Sequence, residues 1–325
     1  MTRVFVTRPV PDAGLRLLEA ALGADAVFMR QEDSAIPTNA LLEHVGGAEA
    51  VLCMLSERMD AEVMDAAGTQ LKVIANLAVG YDNIDVEAAR TRGIHVTNTP
   101  DVLTDATADL AWALILSAAR RVGEGERFLR ADKWQGWGPK QLLGMSIFGK
   151  TLGIFGMGRI GQAVAQRAAG FNMDVIYHDA NRLSPEVETA LQATFVDKET
   201  LLASSDVLSI HCPLNPQTRH AFTWTAFEKM KPTAILVNTA RGPVVKEEDL
   251  CRALEQGLIF AAGLDVYEHE PAVCPGLMHQ ERAVLLPHLG SATTETRDAM
   301  ASLAANNIIA ALQGRRPPNC LSCCG

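Results

Sequence analysis

Three side chains of this sequence can together transfer a proton and hold an anion. Arg241, Glu270 and His288 each follow an apolar run that reads as a β-strand, or lie in the loop after one. Ligands of open α/β sheets bind beyond the carboxyl ends of the strands, so we expect the three residues to converge on one cleft. A histidine donates a proton near neutral pH, and a carboxylate bonded to it raises its pKa and fixes its orientation. An arginine holds a carboxylate in its planar fork and polarises a carbonyl group.

Each of these residues also has a purely structural interpretation. Arg241 can form a surface ion pair, Glu270 can be a solvated loop acid, and His288 can be a hydrogen-bonded histidine at a domain junction. His211 ends another strand-like run and is a candidate for lining a cofactor. Three further histidines are expected to be peripheral: His95, His220 and His269.

A glycine-rich segment indicates where a cofactor binds. Residues 156–161 read Gly-Met-Gly-Arg-Ile-Gly and stand between a strand-like apolar run and a helical segment. Gly156 permits the tight turn, Gly158 lets the backbone approach a pyrophosphate, and Gly161 lets helix and strand pack closely. The helix N-terminus presents its N–H groups to the anion. Glycines that serve packing alone are the alternative. The predicted cofactor residues of this turn are Gly156, Gly158, Arg159, Ile160 and Gly161.

The end of the next strand bears on the type of dinucleotide. Asp179 lies about 20 residues beyond the glycines, where an acidic residue binds the adenosine ribose. A carboxylate there repels a 2′-phosphate and favours NAD, whereas Arg182 can pair with that phosphate and favours NADP. His178 is compatible with either. We favour NADH and keep NADPH as the alternative.

The two patterns together indicate reduction of a carbonyl group. Hydride that reaches a carbonyl carbon leaves an oxyanion, and the oxyanion needs a proton donor such as His288. Arg241 would bind the substrate carboxylate and polarise the carbonyl.

Two series of alternating elements must position these residues. Strand-like runs in the first part lie at 4–6, 26–29, 51–55, 72–77 and 94–98, and helical patterns lie at 11–22, 37–45, 61–67 and 86–92. This βαβα order predicts a parallel sheet flanked by helices. A long helix is expected from Val102 to about Phe128, after Pro100, as a connector between domains.

A second strand series begins at Thr151, with runs at 152–155, 175–177, 207–211, 235–238, 261–264 and 283–286. The last helix, at about 293–312, is expected to return to the first domain. The prediction is therefore an α/β protein in which a dinucleotide-binding Rossmann domain (99–287) is inserted into a second parallel-sheet domain (1–98 and 288–325).

Composition excludes several classes of partner. The 325-residue chain has a formal net charge of −9, so phosphate polymers and acidic membranes would be repelled. No apolar run approaches about 18 residues, and no transmembrane helix is expected. The first residues lack a signal-peptide pattern, and a cytoplasmic location follows as the default.

The seven cysteines fit a reducing compartment better than a disulfide framework. The four scattered ones are interpreted as small buried hydrophobes: Cys53, Cys212, Cys251 and Cys274. The tail carries Cys320, Cys323 and Cys324 without a nearby histidine, which favours an oxidation-prone, mobile tail over a metal site. We predict no bound metal.

Several segments resemble the signature motifs of the D-isomer-specific 2-hydroxyacid dehydrogenases. The resemblance covers almost the whole chain, and its segments are 156–161, 238–242, 263–266 with Glu270-Pro271, and 287–290. Residues 77–85 resemble the family's substrate loop. Three further segments resemble the glyoxylate/hydroxypyruvate reductase branch of the family in particular: 134–144, 149–153 and 170–173.

The resemblance implies roles for individual residues. His288 would be the general acid/base, Glu270 its partner, and Arg241 the residue that binds and polarises the substrate. The substrate domain would be flavodoxin-like, with the N–H groups of Val79 and Gly80 holding the substrate carboxylate. The side chain of Leu55 would limit the substrate tail. Asp265 would face the nicotinamide carboxamide, and the other residues expected at the cofactor are Thr104, His211, Pro213, Thr218 and Thr239.

The function implied is NAD(P)H-dependent reduction of a small 2-oxo acid. Our leading hypothesis is reduction of glyoxylate, and of hydroxypyruvate, to glycolate and D-glycerate. The alternatives are a dehydrogenase for another D-2-hydroxy acid and an NAD-sensing, corepressor-like protein that binds peptides. The family also implies a homodimer, which we expect to form through the helix near Asp105–Arg121 and the loop Trp134–Trp137.

Overall fold

The computed structural model of the chain describes residues 3–322. The chain forms two compact units. The first contains the residues up to Leu103 together with those from Ser291 onward, and the second is Thr104–Gly290. These boundaries differ from the expected 98/99 and 287/288. His288, expected in the domain formed by 1–98 and 288–325, lies instead in the second unit.

The described residues of the first unit form a five-stranded sheet. Its strands are β1 (Val4–Val6), β2 (Val27–Met29), β3 (Ala50–Cys53), β4 (Val73–Asn76) and β5 (His95–Thr97). Its helices are α1 (Asp12–Leu22), α2 (Thr38–Val45), α3 (Ala61–Ala67), α4 (Val86–Thr91) and α13 (Thr294–Leu312). All strand pairs are parallel in the order β2-β1-β3-β4-β5, which is the flavodoxin-like order. The five predicted strands and the return of the last helix to this unit are confirmed.

Apolar runs explain why these strands lie inside the unit. Every residue of β1, β3 and β4 is buried, as expected for a parallel sheet covered by helices on both faces. Helix α1 packs closely on α13, since a Cβ atom at Gly14 would lie 2.6 Å from the carbonyl oxygen of Ala301. Aspartates cap α3 and α4, where Asp60 accepts from Val63 N–H and Asp85 accepts from Ala88 N–H.

The second unit is built on a seven-stranded parallel sheet. Its strands are β6 (Thr151–Phe155), β7 (Asp174–His178), β8 (Ala193–Phe195), β9 (Val207–Ile210), β10 (Ile235–Asn238), β11 (Ala261–Leu264) and β12 (Ala283–Leu285). Its helices are α5 (Thr104–Ala119), α6 (Val122–Arg130), α7 (Arg159–Ala168), α8 (Pro185–Leu191), α9 (Lys198–Ser204), α10 (Trp224–Phe227), α11 (Glu247–Glu255) and α12 (Pro275–Met278). The six predicted strands are confirmed, and β8 is an additional edge strand paired with β7.

The single long helix predicted from Val102 to Phe128 is wrong. The chain forms α5 and α6, which are separated at Arg121, a residue with a left-handed φ of 52°. The Arg121 guanidinium is held there by the carboxylate of Glu124 at 2.6 Å. Helix α5 belongs to the core of the second unit, because Trp112 donates to the carbonyl of Val164 and is buried. It is therefore not a free connector between domains.

The strand order of the second unit creates a crevice of the kind in which ligands bind in open α/β sheets. The sheet runs β12-β11-β10-β9-β6-β7-β8, so the chain moves in opposite directions from β6 toward β7 and toward β9. Loops after β6 and β9 therefore diverge and leave a crevice at the carboxyl edge of the sheet. Gly156 begins the loop after β6, and His211 begins the loop after β9.

Other sequence expectations concern membranes and cysteines. Across residues 3–322, no helix is long and apolar enough to cross a membrane, and no group of three acidic, histidine or cysteine side chains is arranged to hold a metal. Cys53, Cys212 and Cys251 are buried free thiols, as expected, whereas Cys274 is a free thiol that is only half-buried. Cys320 is disulfide-bonded, whereas Cys323 and Cys324 lie outside the described residues. The cytoplasmic location stays a prediction.

Candidate active site

The glycine-rich turn after β6 has room for a pyrophosphate. Gly156 has a φ of 98°, and a Cβ atom there would lie 2.5 Å from the backbone nitrogen of Cys212. A Cβ atom at Gly161 would meet the carbonyl oxygen of Gly156, so helix α7 can pack this closely only with glycine. Gly158, the N-cap residue of α7, has open space around its Cα atom and carries no side chain that could cap the helix. The turn, with Arg159 and Ile160 in the first turn of α7, therefore fits a dinucleotide.

The carboxylate of Asp179 is fixed beside this turn. Its Oδ2 accepts a hydrogen bond from Met157 N–H at 2.7 Å, and its Oδ1 accepts one from Asn181 N–H at 2.9 Å. His178 stacks on Phe155, and its Nδ1 lies 3.0 Å from the carbonyl of Val196. The Asp179 carboxylate, which directly follows β7, therefore lies next to the turn, where the ribose of a dinucleotide is expected.

Residues after β9 and β10 meet on the other side of the crevice. The Nε2 of His211 lies 2.8 Å from the Ser209 hydroxyl, and its Nδ1 lies 3.4 Å from the hydroxyl of Thr239. Desolvation lowers the pKa of His211 to about 3, so its ring is neutral. Thr218 donates to the carbonyl of Pro213 at 2.7 Å and closes the loop that follows His211. The predicted Thr104 is half-buried at the first residue of α5.

The side chains of His288 and Glu270 are hydrogen-bonded to each other. The Nδ1 of His288 lies 2.8 Å from Oε2 of Glu270, and Oε1 of Glu270 accepts from Tyr267 N–H at 3.0 Å. Burial raises the pKa of Glu270, but the His288 hydrogen bond and the charges of His288 and Arg241 outweigh it, so that pKa lies below its ordinary value. The carboxylate therefore remains ionised at neutral pH and orients the imidazole.

The backbone next to Arg241 packs closely on the segment that leads to Glu270. A Cβ atom at Gly242 would overlap the carbonyl group of Tyr267, so the loop after β10 lies directly on the segment that leads to Glu270. Asn238 shapes this loop, since its side chain donates to the carbonyl of Arg241 and accepts from the N–H of Ala240. The Arg241 charge acts on Glu270 from this position.

The backbone of His288 is held in an unusual conformation. His288 has a φ of 55°, which is uncommon for a residue other than glycine. Asp265 holds it, because its carboxylate accepts from Leu289 N–H at 2.6 Å and from Gly290 N–H at 2.8 Å, and its carbonyl accepts from His288 N–H. Burial raises the pKa of Asp265 despite these bonds. Asp265 was expected to face the nicotinamide carboxamide, but both of its carboxylate oxygens accept hydrogen bonds from the backbone.

The remaining predicted residues lie in the first unit. The carbonyl of Val79 accepts from the side chain of Asn98 at 2.8 Å, and that of Gly80 accepts from Asn76 at 2.8 Å. Within residues 3–322, neither the Val79 nor the Gly80 N–H finds a hydrogen-bond acceptor. Two neighbouring amides are therefore available to an anion.

The comparisons with known proteins agree with these motifs. Residues 112–290 match the family model described as "D-isomer specific 2-hydroxyacid dehydrogenase, NAD binding domain". A glyoxylate reductase of Thermococcus litoralis is 47% identical over 321 residues, which cover 98% of this chain and 96% of the relative. The chain belongs to the D-isomer specific 2-hydroxyacid dehydrogenase family.

Solved structures support the same assignment. A crystal structure of a Thermus thermophilus protein is 46% identical with a TM-score of 0.90, and the match covers 98% of this chain and 100% of that one. An NADPH-dependent glyoxylate/hydroxypyruvate reductase of Sinorhizobium meliloti, in complex with NADP and malonate, is 30% identical with a TM-score of 0.84. That match covers 98% of this chain and 96% of the other.

Sequence reasoning missed the polar side chains that shape the loops of this dehydrogenase. In the first unit, buried Glu57 accepts from the hydroxyl of Thr7 and from Met54 N–H, and so supports the loop that carries Leu55. Asn83 donates to the carbonyl of Met54. Asn83 stands within the segment that resembled the family's substrate loop, but nothing in the sequence pairs it with a residue so far upstream.

The Asp265 contacts generate a prediction for the His288 segment of the dehydrogenase. In Asp265→Ala the N–H groups of Leu289 and Gly290 lose their acceptor, so we expect their hydrogen–deuterium exchange to accelerate about tenfold. Mass spectrometry of peptides that span these residues measures this rate. Asp249→Ala is the matched control, because Asp249 accepts from Trp224 N–H instead. Unchanged exchange at 289–290 in Asp265→Ala would contradict the assignment.

Proposed function

We propose that this dehydrogenase reduces glyoxylate, and also hydroxypyruvate, to glycolate and D-glycerate. The observation that carries the proposal is the His288–Glu270 pair beside Arg241, in a chain whose relatives at 47% identity are glyoxylate reductases. An acid/base histidine and a cation are the two groups that reduction of a 2-oxo acid requires. The name of the Sinorhizobium relative supports hydroxypyruvate as the second substrate.

The geometry supports His288 as the proton donor. Because Nδ1 of His288 faces Glu270, Nε2 is the atom that carries the transferable proton. NADH held at the glycine-rich turn would supply the hydride that reaches the carbonyl carbon. As the carbonyl bond becomes an alkoxide, Nε2 gives its proton to the oxygen, and the neutral ring that remains keeps its Nδ1–H toward the Glu270 carboxylate. Solvent then restores the lost proton.

Arg241 and two backbone amides are proposed to hold the substrate. The Arg241 guanidinium would polarise the carbonyl oxygen and pair with the substrate carboxylate, since it carries a permanent charge and a planar fork. The N–H groups of Val79 and Gly80 would bind the carboxylate, which their lack of an acceptor among the described residues supports. Leu55 would limit the size of the substrate tail.

We infer that NADH is the preferred cofactor. The Asp179 carboxylate is fixed beside the glycine-rich turn, where it would accept hydrogen bonds from ribose hydroxyls and repel a 2′-phosphate. Arg182, the residue that favoured NADPH, is engaged by the carboxylate of Glu188. Both contacts support the same preference.

A steady-state assay tests this function. We expect purified enzyme to oxidise NADH with glyoxylate at turnover numbers within the ordinary range of about 1–10³ s⁻¹. Hydroxypyruvate should be reduced as well, and kcat/KM should be lower with NADPH than with NADH. Pyruvate serves as the comparison substrate. A higher kcat/KM for pyruvate would favour another D-2-hydroxy acid, and no oxidation with any 2-oxo acid would exclude the reductase and favour a binding protein.

Removal of the proposed proton donor gives a sharper test. In His288→Ala we expect kcat for glyoxylate to fall by about 10²–10⁴-fold, because no group protonates the alkoxide. The Kd of NADH, measured by fluorescence, should change little. His279→Ala is the matched control, since His279 is an exposed histidine of the same unit. Equal losses in kcat and in NADH binding would indicate a structural role for His288.

We also propose a homodimer, formed through residues 122–148 rather than through α5. Most apolar residues of α5 are buried in the core of the second unit, whereas several large apolar side chains of 122–148 are exposed. The exposed fraction is 85% for Trp137, 67% for Phe148 and 61% for Leu143. Exposed aromatic side chains in one continuous segment are typical of a protein interface.

Light scattering after size exclusion tests the dimer. The wild-type chain should have the mass of two copies, and the double variant Trp137→Glu/Phe148→Glu should be a monomer, because two unpaired charges would have to be desolvated. Met278→Glu places a charge on another exposed apolar residue of the same unit and should remain dimeric. A monomeric wild type, or a double variant that stays dimeric, would refute the proposed interface.

A further inference from the structure

Arg182 lies in the loop that begins at Asp179, where an arginine accommodates the 2′-phosphate of NADP. Its guanidinium is nevertheless paired within the protein. Nε of Arg182 donates to Oε1 of Glu188 at 2.9 Å, and Nη2 donates to Oε2 at 2.8 Å. This fork-to-fork geometry fixes the plane of the guanidinium as well as its position.

Glu188 is itself fixed by the core of the second unit. The hydroxyl of buried Tyr177 donates to Oε1 of Glu188 at 2.6 Å and accepts from Leu183 N–H at 2.9 Å. Only 12% of the Glu188 side chain is exposed, against 63% for Arg182. Hydrogen bonds from Arg182 and Tyr177 lower the pKa of Glu188 to about 2, so its charge persists at every physiological pH.

The Arg182–Glu188 pair also places the Arg182 guanidinium near one edge of the sheet. The guanidinium carbon of Arg182 is 5.7 Å from the centre of the Phe195 ring. Phe195 ends β8, the edge strand, whereas the glycine-rich turn follows β6 on the opposite side of β7. Arg182 is thus directed toward the edge of the sheet, and Asp179 toward the turn.

We propose that Glu188 is a positioning residue for cofactor choice, which holds Arg182 over the edge strand and withholds it from the 2′ position of the adenosine ribose. This inference rests on the proposed function, because it assumes that the dehydrogenase prefers NADH. Discrimination against NADPH then has two parts, the repulsion by Asp179 and the capture of Arg182 by Glu188.

Cofactor binding without any 2-oxo acid tests the proposal. The Kd values of NADH and NADPH are measured by isothermal titration calorimetry for the wild type, Glu188→Gln, Arg182→Ala and the double variant. In Glu188→Gln we expect the Kd of NADPH to fall about tenfold while that of NADH changes little, because a released guanidinium forms a charge-assisted bond to the phosphate. The gain should disappear in Glu188→Gln/Arg182→Ala. Glu186→Gln removes the same charge from an exposed residue of α8 and should leave both Kd values unchanged.

Arg182→Ala in the wild-type background gives an independent result. Since Arg182 is already engaged by Glu188, its loss should leave the Kd of NADPH unchanged; a several-fold weakening would overturn the proposal, even if Glu188→Gln fails to fold. An unchanged NADPH-to-NADH ratio of Kd values in a Glu188→Gln protein that binds NADH would also overturn it, as would a gain that persists in the double variant. Absence of glyoxylate turnover refutes the proposed function alone, since these titrations involve no turnover.

Discussion

Parallel pairing in the seven-stranded sheet is the constraint on which the rest of the site depends. Parallel strands end at the same edge, so the residues after β6, β7, β9, β10 and β11 meet there although they are far apart in the chain. The reversal of strand order between β6 and β9 opens the crevice in which a dinucleotide fits. The glycine-rich turn, Asp179, His211, Thr239 and Asp265 all follow strands of this edge.

Carboxylates then orient the groups that this edge brings together. Asp265 holds the backbone N–H groups of the two residues after His288, Glu270 orients the His288 imidazole, and Asp179 accepts from the turn that would receive the pyrophosphate. Glu188 likewise fixes the position of a charged side chain, the Arg182 guanidinium. A carboxylate suits this role because its two oxygens can accept from two donors and fix both in direction. Loops that need a defined geometry thereby obtain it without regular secondary structure.

Much of the fold could be predicted because buried parallel strands are near-continuous apolar runs. The runs at β1, β3, β4 and β10 are short, apolar and bounded by turn residues, and each is a strand. Prediction failed where tertiary contacts decide. Strand β8 is only Ala193–Phe195 and exists through its pairing with β7. Helix α5 ends before Arg121 although the helical pattern continues, because that residue adopts a left-handed conformation and pairs with Glu124.

The sequence by itself determined which groups are available for chemistry: a glycine turn that fits a dinucleotide, and the arginine, carboxylate and histidine that we propose act on a 2-oxo acid. Residue type and local order suffice for this, because each motif depends on neighbours along the chain. Only the tertiary structure decided which partner each charged group has. Asp265 binds the backbone after His288, and Arg182 binds Glu188 rather than remaining available at the ribose. Such pairings depend on strand register and on helix packing, which bring together groups whose separation in sequence carries no signal.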